Sequence, residues 1–128
     1  MARGLPMLVL TGGLLTGLSA CAATPAGPVY GGADPVGMGD DLYGFLVTME
    51  GAKDSAEVEA YVTCVVSGYT LKKNAGFARK VRLAVTEEGG VWSADAVYSI
   101  SPALPRGSAT IDAEVMAADC GERGIPTV

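Results

Sequence analysis

The run from Phe77 to Tyr98 constrains the fold most, because its two halves mirror one another about Gly89-Gly90. Phe77, Val81, Leu83 and Val85 alternate with Ala78, Lys80, Arg82, Ala84 and Thr86, the period of a strand with one buried face. The two glycines supply a turn whose central residues can both take positive φ. Pairing Glu88 with Val91 sets Val81 against Tyr98, Leu83 against Ala96, Val85 against Ala94 and Glu87 against Trp92. Apolar then meets apolar on one face, and a one-residue slip would turn that whole set outward. Trp92 falls on this face, which favours core packing over service as an exposed anchor.

The flanking segments supply what such a hairpin needs to pack against. Leu42 to Glu50 alternates with Tyr43, Phe45, Val47 and Met49 on one side, so it reads as another strand, ended by Gly51. Asp54 and Glu57 have the spacing of a helix N-cap and its N3 partner. Val58, Tyr61, Val62, Val65 and Tyr69 then fall on one helical stripe, while Cys64 lies on its flank. Lys72, Lys73 and Asn74 close that helix, with the lysines near its negative end and Gly76 ending the turn. A third alternating run, Ala109, Ile111, Ala113, Val115 and Ala117, can add a strand beside Val91 to Ser101. The expected architecture is α+β: one helix on a mainly antiparallel sheet of about four strands, in the order β-α-β-β-β.

The other face of that sheet carries most of the charge. It is expected to present Lys80, Arg82, Asp95, Val97, Asp112 and Glu114, with Asp95 opposite Glu114 and Arg82 diagonal to Asp95. Opposed carboxylates could share a proton, hold a hard cation or bind a basic partner. The plainer reading is a solvated face whose charges Arg82 and Lys80 partly neutralise.

Ahead of the domain lies a different kind of sequence. Arg3 is the only charged residue before Cys21, and Leu5, Met7, Leu8, Val9, Leu10, Leu14 and Leu15 form an apolar stretch of signal-peptide length. That stretch is too short and too interrupted by glycine for a spanning helix, which needs about 20 apolar residues. Leu18-Ser19-Ala20-Cys21 follows it directly and resembles the lipobox of a bacterial lipoprotein precursor. The resemblance implies removal of residues 1–20, attachment of a diacylglycerol to the Cys21 thiol and acylation of the new amine. Two or three acyl chains hold a protein firmly at a bilayer, where one alone does not. Ala22 stands where an aspartate often marks inner-membrane retention in such lipoproteins, so the outer membrane is favoured, with the domain facing the periplasm. The layout is similar to that of small, mostly uncharacterised envelope lipoproteins of alphaproteobacteria.

Residues 22–40 are rich in Ala, Gly and Pro and lack a hydrophobic period, so residues 21–40 are expected to form the acylated cysteine and a flexible tether. Its contour would reach roughly 60 Å. Tyr30 or Met38 could form a recognition segment within it. The folded domain is then expected to span residues 41–128, where a small core benefits from a covalent staple. With Cys21 acylated, Cys64 and Cys120 remain, and in an oxidising envelope compartment they read as a disulfide. A buried free thiol or a redox pair are the alternatives, although neither cysteine lies in a C-x-x-C motif.

No signature in the chain names a reaction. It has no histidine, and therefore lacks the commonest general base and metal ligand. G-x-S-x-G, a phosphate-cradling glycine loop and a cysteine-rich metal pattern are all absent from the sequence. Loss of residues 1–20 moves the formal net charge from −5 to −6, because only Arg3 is removed. Such an acidic chain is ill suited to nucleic acid or anionic lipid. The expectation is a non-catalytic, cofactor-free, lipid-anchored protein that binds an envelope partner. The proline-containing loop 101–107 and the tail from Gly121 to Val128 are further contact candidates. A second reading is a small-ligand or glycan module in the helix-sheet cleft, where Tyr43, Tyr61, Tyr69 or Tyr98 could stack. A third is an enzyme built on Asp95, Asp112 and Glu114.

Overall fold

A computed structural model describes residues 27–105 and 109–128, together with Gly4, Gly12 and Gly13. The lipobox, Cys21 and most of the apolar leader lie outside the described residues, as do residues 106–108 of the proline-containing loop. The described chain runs β1 (Val29–Gly39), β2 (Leu42–Glu50), α1 (Ser55–Lys72), β3 (Phe77–Glu88), β4 (Val91–Ser101), β5 (Thr110–Asp112) and α2 (Ala113–Arg123). All strand pairings are antiparallel, in the spatial order β1-β2-β4-β3-β5. The fold is α+β, with five strands and two helices among the described residues.

The domain starts earlier than composition suggested. Residues 29–39, expected to be tether, pair with β2 from Val29 opposite Glu50 to Gly39 opposite Leu42. The glycines and Pro35 that resemble linker composition suit this particular strand. β1 is an edge strand, where a proline is tolerated. Gly31 lies so close to Thr48 that a Cβ would collide with its side chain and carbonyl, and Gly32 takes φ +92° in the same irregular stretch. Gly32 N–H donates to the Tyr61 hydroxyl at 2.9 Å, tying the edge strand to α1. Asp40 and Asp41, both at positive φ, make the turn into β2.

The β3–β4 hairpin turns at Gly89-Gly90 with positive φ at both residues. Its register follows the expected pairs from Glu88 opposite Val91 to Leu83 opposite Ala96. It then shifts: Arg82 pairs with Val97, but Lys80 pairs with Tyr98, leaving Val81 unmatched. The expected Val81–Tyr98 pair is therefore corrected. This bulge reverses the facing of the strand below it. Ala78 becomes a buried core residue, and Val81 is left 58% exposed.

Helix α1 begins where its cap predicts. Asp54 Oδ1 accepts from Glu57 N–H at 2.9 Å, and Glu57 Oε2 accepts from Lys53 N–H at 2.7 Å. Asn74, at φ 57°, carries the left-handed residue after the helix, rather than Gly76. The stripe Val58, Tyr61, Val62 and Val65 packs on Phe45, Val47, Met49, Ala94, Ala96 and Tyr98 of the sheet. Cys64, Val66, Ser67, Gly68 and Thr70 are buried as well. A second layer accounts for them, because α2 and the residues after it cover the far side of α1. Ser67 and Thr70 satisfy their buried hydroxyls by donating to Thr63 O and Val66 O, each at 2.7 Å.

That second layer overturns the expected third strand of the sheet's far edge. Only Thr110–Asp112 is strand, and it pairs with β3 rather than β4. Asp112 Oδ1 then accepts from Val115 N–H at 3.3 Å and caps α2. Alanine-rich sequence favours helix, and the buried pair Ala113 and Cys120, with Met116 and Ala117 half-buried between them, follows a helical period. The Cys64–Cys120 disulfide fastens α2 to α1. Gly121 to Arg123 belong to α2, while Ile125 and Val128 pack against the core, so the tail is a packed closure more than a free contact segment.

Candidate functional site

The helix-free face of the sheet can be assembled row by row from the register. Val36, Gly44, Val97 and Arg82 form one row across β1, β2, β4 and β3, and Asp34, Leu46, Asp95 and Ala84 form the next. Gly44 leaves a flat spot over which Met38 lies, since a Cβ there would sit 3.2 Å from Met38 Sδ. The result is an apolar centre of Val36 (54% exposed), Met38 (55%) and Leu46 (56%) around Val97, which is 6% exposed. Asp34, Asp95 and Arg82 border it, and Arg82 Nη2 approaches Asp95 Oδ1 at 3.3 Å across the expected diagonal. An exposed ion pair of this kind is worth little in stability, about 1 kcal/mol or less. Its effect is to offset the charge of Asp95 within the border.

The expected carboxylate cluster is not assembled. Asp95 has Leu46 and Ala84 as its cross-strand neighbours, and Asp112 is opposite Phe77 at the far edge. Asp112 is committed to capping α2, and Glu114 stands in that helix's first turn. Asp112 ends the short strand β5 at the sheet's far edge, away from Asp95, and Glu114 leaves the sheet because the strand expected to carry it is a helix. Among the described residues no group of three or more acidic or cysteine side chains could hold a metal ion.

The bulge creates a second site on the helix-covered side. With Val81 unmatched, Lys80 turns away from Arg82 and meets α1, where its Nζ lies 2.6 Å from Glu59 Oε1. Lys80 was expected on the opposite face. Glu59, Thr63, Lys80, Tyr98, Ala109, Thr110 and Ile111 line a cleft of about 210 Å³. Burial pushes the Tyr98 hydroxyl up to about 12, a Thr63 hydrogen bond pulls it back, and the Glu59 charge adds to the rise. Thr110 Oγ1 is buried without a hydrogen-bond partner among the described residues. A second cleft of about 310 Å³ lies between Val29, Gly31, Thr48, Met49, Glu50 and Val91, with few polar groups.

The tyrosines do not form an open stacking platform. Tyr61 and Tyr98 are buried. Tyr43 and Tyr69 are half-buried and meet edge-on at 5.5 Å, with Lys73 Nζ over the two rings at 5.6 and 5.3 Å.

Residues 30–124 match the model of the YNQ4 C-terminal domain. The chain belongs to the YNQ4 C-terminal domain family. The family match begins inside β1 and ends at Gly124, the left-handed residue that closes α2. Both elements that composition and alternation misassigned, the edge strand and the second helix, are therefore within the YNQ4 C-terminal domain. The chain is also similar to the "Uncharacterized 26.9 kDa protein in nqo8 5'region" of Paracoccus denitrificans, at 26% identity over 87 residues. That alignment covers 68% of this chain and 34% of the relative, so the chain spans about a third of the relative's length. No solved structure matches it.

Sequence reasoning had selected Arg82 and Asp95 but missed Val36, Leu46, Glu59 and Thr63. Leu46 carried a signal: with Phe45, Val47 and Met49 facing in, a leucine between them faces out without a structural reason to be apolar. Glu59 carried none, since only the bulge brings Lys80 to it.

Proposed function

We propose that this YNQ4 C-terminal domain chain is a lipid-anchored envelope protein that docks a protein partner on the helix-free face of its sheet. It performs no catalysis of its own in this reading. The observation that carries it is the Val36–Met38–Leu46 patch, whose apolar side chains stand in solvent inside a charged border. Exposed apolar patches rimmed by polar groups are characteristic of contact surfaces. The partner is expected to bring an apolar anchor for the centre and a basic residue for Asp34, since Asp95 is paired with Arg82.

Anchoring through Cys21 sets where that partner is found. Eight peptide steps separate Cys21 from Val29, so the domain begins at most about 30 Å from the acylated residue. This is half the reach that a tether to residue 40 would have had. The partner therefore lies at the same membrane, with the outer membrane favoured by Ala22. Cys21→Ser should leave an uncut or soluble chain, and normal membrane retention without lipid on residue 21 would defeat the anchor.

The docking face is tested by in-cell crosslinking of the wild type and of Leu46→Lys. Leu46 is exposed and lies between Asp34 and Asp95, so a lysine is accommodated there and only the apolar centre is interrupted. A reproducible partner lost in Leu46→Lys supports the reading; a partner retained at wild-type yield removes this face from it.

A further inference from the structure

The β3 bulge takes Lys80 off the helix-free face and delivers it, on the other side, to Glu59 at the 210 Å³ cleft. We propose that this cleft binds a small, neutral polyhydroxyl ligand, of the size of one sugar ring, on the Glu59–Lys80 pair.

The charge arrangement selects the class. Glu59 Oε1 and one ammonium hydrogen of Lys80 are engaged with each other at 2.6 Å. A carboxylate has a second oxygen and an ammonium three donors, so Oε2 and two N–H groups remain for a ligand. Adjacent hydroxyls meet that demand together: one donates to Oε2 while its neighbour accepts from Nζ, and the ion pair stays intact. An anion would face Glu59 and a cation would face Lys80, so either must first separate the pair. Hydrogen bonds to charged groups are also stronger than neutral ones.

The remaining wall fits the same class. Tyr98 and Thr110 line the cleft, and the buried Thr110 Oγ1 has no hydrogen-bond partner among the described residues. Ala109 and Ile111 provide an apolar surface for the C–H face of a ring. Ala109 holds φ +63°, a left-handed conformation that L residues adopt against steric opposition. Sites for drug-sized molecules occupy about 300–1,000 Å³, so a cleft of 210 Å³ admits a single ring or the terminal unit of a longer glycan. This site is separate from the docking face and stands or falls independently of it.

The test is a titration of the full chain, held in a sugar-free detergent, with methyl β-D-glucoside, glycine and inorganic phosphate as separate probes. Backbone amide shifts are followed by NMR. The proposal predicts saturable shifts at Glu59, Thr63, Lys80 and Thr110 with the glucoside alone. Lys80→Met and Glu59→Gln should each weaken them roughly tenfold, while Arg82→Met on the opposite face leaves them unchanged. Absence of saturable glucoside shifts, equal shifts in Lys80→Met, or preferential binding of glycine or phosphate would overturn it.

Discussion

Cys64 and Cys120 stand 56 residues apart in the chain and 5.9 Å apart at their Cα atoms, joined by a disulfide that pins α2 across the back of α1. That link holds α2 in place, and α2 with the C-terminal residues that cross α1 at Gly68 buries the helix on its second side. The helix lies between the sheet and a second helical layer, and α2 has only Ala113 and Cys120 fully buried to hold itself there.

The bridge should therefore be a principal source of stability. Closing a loop of this length restricts the unfolded chain by about 4 kcal/mol in the entropy model. Urea denaturation of the Cys64→Ala/Cys120→Ala chain should show a loss approaching that figure, and non-reducing mass spectrometry of the wild type should yield one joined peptide. Equal stability of the two chains would contradict the pinning role.

Two helical glycines should respond to alanine with opposite signs. At Gly68 a Cβ would meet Thr127 Cβ at 2.7 Å and Val128 N at 2.9 Å, where the C-terminal residues cross α1. Gly68→Ala should destabilise by about 1–3 kcal/mol despite its better helix propensity. Gly121 in α2 has open space around it, and Gly121→Ala should stabilise by up to about 1 kcal/mol. Thermal unfolding of both variants decides it; the same sign at the two positions would contradict this packing.

Asp112 and Glu114 should separate in the same assay. Asp112 caps α2, so Asp112→Ala should cost about 0.5–2 kcal/mol. Glu114 is exposed in the first turn and interacts with the helix dipole, so Glu114→Ala should cost about 1 kcal/mol or less. Added calcium should leave the melting temperature unchanged. A rise with calcium that either replacement abolishes would restore a shared carboxylate site.

Tyr98 gives a pH signature. Its hydroxyl titrates near 10 when unfolded and at about 12 when folded, chiefly because it is buried. The folded state therefore favours the protonated form. That advantage is complete below pH 10 and disappears as pH rises from 10 to 12, an effect of about 3 kcal/mol. Folding free energies measured across this window should fall more steeply for the wild type than for Tyr98→Phe; superimposable profiles would contradict the burial of an un-ionised phenol.

What the sequence made legible was the regular part of the fold. The Asp54 cap, the Val58–Tyr69 stripe and the Gly89-Gly90 turn are local signals, and each corresponds to the structure. β1 was illegible because Gly31, Gly32 and Pro35 serve an irregular edge strand while sharing the composition of a linker. α2 was misread because Ala109, Ile111, Ala113, Val115 and Ala117 alternate as a strand would, although Val115 is exposed and only the 113–120 spacing buries. The bulge at Val81 was invisible for a different reason. It moves one residue out of register, and that decision rests on how Ala78 and Lys80 pack against α1, which no local pattern records. The candidate sites inherit these limits: Arg82 and Asp95 follow from regular pairing, whereas Glu59 with Lys80 depends on the bulge.

The central claim, a membrane-held domain that docks a partner on its helix-free face, is tested most directly by site-specific photocrosslinking in cells. A photoreactive amino acid replaces Val36 in one chain and Glu122, exposed on α2, in another. The account predicts a discrete protein adduct from position 36 in the membrane fraction, none from position 122, and loss of the adduct when Cys21→Ser releases the chain. Equal adducts from both positions, or none from position 36 in a folded and anchored protein, would contradict it.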